Sequence, residues 1–296
     1  MTSFLPAAAQ PAARELLMTP ARRIILLLGV PLSLSLLAWT CYAIISNSSQ
    51  GSYTVSYAPV RVSGGLTMNV YGGDVTLQGG VSPSAAQFTG SGTVWYGLTY
   101  SGQRPTLATA QTATGTKINF ACPSYNCALT STVDVPPQAP VTVTSNGGNI
   151  TATGLSDATL QTGGGNLTVD GLTGDVSLNT DNTPNNGPSG PDGPFGGGGQ
   201  VTGTLAAQNI SVDTGGNNVD LQLTTPPANL NVTTEGGDVT LQLPEGYSYR
   251  VDNVPEPQSQ IDQNGPAQPA AITVTTSSSS QYRIIVNADG GAVTID

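Results

Sequence analysis

VTVTSNGGNITATG (141–154), ATLQTGGGNLTVDG (158–171), ISVDTGGNNVDLQL (210–223) and LNVTTEGGDVTLQL (230–243) are four versions of one phrase. Each is a short alternating run, a Gly-Gly step, an Asn or Asp, and a second alternating run. An outlying copy, TMNVYGGDVTLQGG, occupies 67–80, and IIVNADGGAVTID (284–296) carries a last one. A phrase repeated at near-constant spacing fixes architecture before any single residue is interpreted.

Within one copy, Val141, Val143, Ile150 and Ala152 alternate with Thr, Ser and Asn, which makes one face dry and the other wet. Val and Thr suit such a surface because branched side chains pack well on a pleat. Glycines at 147–148, 164–165 and 236–237 allow a sharp corner between the runs. First strands begin at Val141, Ala158, Val176, Ile210 and Leu230, steps of 17, 18, 34 and 20 residues. The doubled step holds DNTPNNGPSGPDGPFGGGGQ (181–200), too rich in Pro, Gly and Asn for a strand. The expectation is an all-β chain: a β-solenoid-like stack of short strands with Gly-Gly turns over 137–296, with loops at 181–200 and 252–270. An antiparallel meander or β-sandwich is the alternative, with each Gly-Gly as a hairpin turn.

Ahead of the repeats stands an Ala/Pro-rich head, 1–23, read as disordered and cytoplasmic. It is followed by IILLLGVPLSLSLLAWTCYAII, Ile24 to Ile45, without a charge. About 20 apolar residues cross a bilayer as a helix, so this run is expected to be a transmembrane anchor in contact with lipid. It ends without a small-x-small cleavage site, which favours retention. Arg22 and Arg23 precede it, which places the N-terminus inside and the rest outside the cell membrane. A short linker (46–52) then leads to a β capping portion, 53–136.

From residue 46 onward the chain has 5 Lys or Arg against 17 Asp or Glu, a net of −12. Such a surface repels nucleic acid. Histidine is absent, which removes Ser-His-Asp and Cys-His pairs and imidazole metal sites. No G-x-x-x-x-G-K-[ST] occurs, so no nucleotide is expected, and no cofactor. Cys122 and Cys127, in CPSYNC, suit a turn closed by a disulfide in an oxidising compartment. Free thiols and half of a zinc site are the competing readings. Asp74, Asp175, Asp213, Asp238 and Asp289 lie near turns, where they are read as solvated; weak calcium binding is the alternative. A glycosidase needs two facing carboxylates; Asp213 and Asp220 are close in sequence, but turn positions explain both.

The phrase at Tyr71–Leu77 and Glu235–Leu241 resembles the bacterial β-strand-repeat proteins grouped as an adhesin-like family of unknown function. The order of Arg-flanked apolar run, linker, Gly-Gly-Asp strand pair, cysteine turn and repeats is similar to its membrane-anchored actinobacterial members. That resemblance implies a solenoid at the cell surface and no catalytic residues. The chain is therefore expected to be a non-enzymatic, single-pass surface protein, adhesive or structural, whose partner is an envelope or surface protein or a glycan. An envelope sensor is the second reading and a polysaccharide-acting enzyme the third.

Overall fold

The computed structural model describes residues 30–48, 51–97, 100–101, 104–122, 127–181, 198–253 and 281–296. The expected head, Ile24, Arg22 and Arg23 lie outside them, as do 182–197 of the 181–200 loop and 254–270 of the 252–270 loop. Two units are distinguished, the helical segment and the β portion.

Alternating side chains build the β portion as two parallel ladders. One contains Gly115–Ala121, Gly65–Val70, Val141–Ser145, Ser156–Thr162, the second half of Leu167–Asn179, Asn209–Thr214, Asn229–Thr234, Tyr282–Ala288 and Tyr249–Asn253. The other contains Cys127–Asp134, Val75–Gln78, Ile150–Thr153, the first half of Leu167–Asn179, Val201–Leu205, Val219–Leu223, Val239–Gln242 and Val293–Ile295. In the first ladder Val141 pairs with Ala158, Ala158 with Val176, Val176 with Ile210 and Ile210 with Leu230. The sequence steps thus reappear as register. Inward rows such as Met68, Val143, Leu160, Leu178, Val212, Val232 and Val286 are almost fully buried and meet the inward rows of the other ladder in one core. Each fully buried Val or Leu contributes about 1.5–3 kcal/mol.

The predicted fold class needs correction on both of its parts. The strands do not form a clear solenoid stack: they join one 21-stranded sheet curled like half a barrel. Leu167–Asn179 runs unbroken from one ladder into the other. Antiparallel strands add to the leading end, where Gln87–Gly97 pairs with Gly51–Ser56, Val60–Arg61 and Cys127–Asp134, and Thr106–Thr112 with Gly115–Ala121. The physical reason is that a repeat step sets which residue lies beside which, whereas closure depends on the corners. The antiparallel meander fails too, because strands on either side of a Gly-Gly step, such as Val141–Ser145 and Ile150–Thr153, belong to different ladders.

The transmembrane helix is the second correction. Described helix runs from Val30 to Ser48, and among the described residues no helix is long and apolar enough to cross a membrane. Ile45 lies within this helix. Its Leu32, Leu34, Leu36, Leu37 and Trp39 are all exposed. The loop expected at 252–270 starts too early, since Asp252 and Asn253 still pair with Ile285 and Val286.

Candidate functional site

Two polar devices recur at the corners. At five successive corners of the first ladder a Ser or Thr turns inward: Ser145, Thr162, Thr180, Thr214 and Thr234 are all buried, while Val70 and Ala288 hold the same place in the first and last copies. A buried hydroxyl must be bonded, and here the corner backbone supplies the partner. Thr162 Oγ1 donates to the Gly165 carbonyl at 2.5 Å, Thr180 to Gly199 at 2.5 Å, Thr214 to Asn217 at 2.7 Å and Thr234 to Gly237 at 2.8 Å. Ser145 instead accepts from the Gly148 N–H. Gly147 takes φ +96°, open to glycine at no steric cost, and a Cβ on Gly148 would run into the Gly73 carbonyl oxygen.

The residue after the glycines forms the second device. The Asn149 N–H donates to Asp74 Oδ1 at 3.1 Å, Asn166 N–H to Asn149 Oδ1 at 2.9 Å and Gln200 N–H to Asn166 Oδ1 at 2.9 Å. Further along, Asp238 N–H donates to Asn218 Oδ1 and Ala292 N–H to Asp238 Oδ1. A matching file runs through Asp157, Asp175, Asn209 and Asn229. Asp74, Asp175 and Asp238 are exposed to solvent, in line with the expectation, and they also accept from backbone or amide donors of a neighbouring strand. Among the described residues no group of three carboxylates or thiols could hold a metal. The Ser or Thr recurring ahead of the five inner corners was the signal in the sequence; apolar alternation passes over it.

Asp213 and Asp220 are not brought together, because they occupy outward positions in different ladders. Asp213 instead meets Asp181, and its carboxyl is pushed above the usual carboxylate range by burial first and by the Asp181 charge second. Asp289 is exposed, and its N–H donates to the Thr234 carbonyl. Cys122 and Cys127 are bonded to each other, with Cα atoms 5.9 Å apart.

Sequence reasoning missed the far end of the sheet. Arg250 and Arg283 stand side by side in register, and both grip Asp252 at 3.1 Å. Hydrogen bonding from Arg250, with Arg283 adding to it, holds the Asp252 carboxyl below its usual range. One residue earlier in each strand, Tyr249 pairs with Tyr282, ring centroids 5.9 Å apart. Tyr247 packs edge-on against Tyr282 at 5.6 Å, and Tyr249 Oη donates to the Pro244 carbonyl at 2.9 Å. Tyr282 also walls a cleft of about 510 Å³, lined besides by Ala206, Gln208, Thr225, Pro226, Ala228 and Gln281.

No protein-family model matches this chain, and no curated protein does. Among solved structures it is similar to one described as a "putative cell adhesion protein" from Clostridium sporogenes, with 14% identity and a TM-score of 0.29. The match covers 83% of this chain and 98% of that one. At that identity and score the likeness carries no argument about function. The membrane-anchored type named from the sequence finds no support in these comparisons.

Proposed function

We propose that this is a surface-exposed, non-enzymatic β-repeat protein, adhesin-like or structural in the cell envelope, that works by display. The observation that supports this reading is the outward face of the ladders. Thr67, Thr142, Thr159, Ser177, Ser211 and Asn231 form one row in register, and Thr76, Thr151, Thr168, Thr202, Asp220 and Thr240 another. These are small, nearly uncharged groups at strand spacing on a backbone locked by the Asn/Asp files, which suits a repeating partner surface more than a reacting centre. The Cys122–Cys127 bond supports an oxidising compartment. The uncovered apolar helix is proposed to lie against lipid, the partner that would hide Leu36 and Trp39 from water.

The test is retention without turnover. Beads coated with the full-length chain should be retained on cell envelopes, and no new reducing or unsaturated sugar ends should appear. Release of such ends would overturn the non-enzymatic reading, and beads washing off like albumin-coated ones would overturn the adhesive one.

A further inference from the structure

We infer that the Tyr282 cleft is a binding site for a neutral saccharide. The inference rests on the display reading above and names its partner. Ten tyrosines are present in 296 residues, yet three of them converge here. Tyr282 is held on one side by Tyr249, which is 7% exposed, and on another by Tyr247, which is 49% exposed. An aromatic ring braced in this way is a wall whose rotamer is set before a ligand arrives, which lowers the cost of binding. Pro226 and Ala228 add apolar lining to the same cleft, and Gln208 and Gln281 line it from exposed positions. Neither of these two amides has a hydrogen-bond partner among the described residues.

The lining selects the ligand. It holds no charge, so neither an anion nor a cation is favoured over water. A sugar ring presents a flat, weakly positive C–H face, which the negative face of an aromatic ring attracts, and a rim of hydroxyls. Those hydroxyls both donate and accept, and a side-chain amide answers both at once. A cleft of about 510 Å³ lies within the range of sites for small ligands.

The probes are cellotetraose, chitotetraose and maltotetraose, titrated into the full-length chain while tyrosine emission and binding heat are followed. At least one should saturate with a Kd on the order of 0.1–1 mM, the range of a single shallow site. Tyr282→Phe should retain that affinity and Tyr282→Ala lose it. Gln208→Ala and Gln281→Ala, at exposed positions and thus harmless to folding, should each weaken it severalfold. Failure of all three sugars to saturate, or affinity unchanged in both glutamine variants, overturns the inference.

Coated beads separate it from the reading it rests on. Retention abolished by periodate treatment of the envelopes agrees with the cleft. Retention abolished by protease alone assigns a protein partner and overturns the cleft while sparing display. Beads that never bind, with a tetrasaccharide still saturating the cleft, overturn display alone.

Discussion

At the scale of single residues, polarity inside the corners does the specifying. Thr162 is fully buried and its hydroxyl bonds the Gly165 carbonyl, so Thr162→Val keeps the shape and removes the bond. The expected cost is about 1 kcal/mol, with the stranded carbonyl setting the upper end; equal urea midpoints for the two proteins would show that the hydroxyl column is ornamental. Asp213 supplies the opposite case. Its folded-state pKa is raised, so the folded protein binds more protons than the unfolded chain between the two values, and stability falls as pH rises through that window. Asp213→Asn should therefore raise the melting temperature at neutral pH, and the gain should shrink as pH drops into the carboxylate range. A gain that grows on acidification would reverse the sign and refute the assignment. Neither residue was legible as such: alternation distinguishes in from out, but it cannot say which outward carboxylate meets another 32 positions away, as Asp181 and Asp213 do.

Among elements, the strands and their register were legible because period-2 alternation and a recurring Gly-Gly pair are written in adjacent residues. Closure of the sheet and the reach of the helix were not, since they depend on corner geometry and on residues beyond the repeat. The 181–200 insertion shows how a finer reading corrects a boundary. Gly198 and Gly199 are buried, Gly198 N–H donates to the Gly215 carbonyl, and Gln200 O accepts from Leu167 N–H. Thr180, Asp181, Gly198, Gly199, Gln200 and Val201 then occupy the places that Thr234, Glu235, Gly236, Gly237, Asp238 and Val239 occupy in an uninterrupted corner. Joining Asp181 directly to Gly198 should restore such a corner and shift the melting temperature by no more than a few degrees. Joining Thr180 to Val201 should be far more damaging, because it deletes the carbonyl that Thr180 bonds. If the two deletions melt alike, the insertion does not lie between Asp181 and Gly198.

Across the β portion, stability should behave as a sum over neighbouring layers, since each strand's hydrogen bonds go to the layers before and after it. A whole layer is then a removable unit, provided the cut respects the alternation. Layers at Asn209 and Asn229 lie 20 residues apart. Removing residues 212–231 joins Ser211 to Val232 and leaves the strand Asn209, Ile210, Ser211, Val232, Thr233, Thr234, with Ile210 and Val232 still inward and Asn209 still placed to bond Asp175. Removing 212–230 instead joins Ser211 to Asn231, so that Ile210 and Val232 fall on opposite faces and one of them must leave the core. The in-phase deletion should keep its β circular dichroism and melt a few degrees lower, whereas the deletion one residue shorter should lose the cooperative transition. Unfolding of the in-phase protein would mean that the layers are not interchangeable and that the core is set by contacts reaching past nearest neighbours. Equal melting of both would mean that register is not what holds these strands in place.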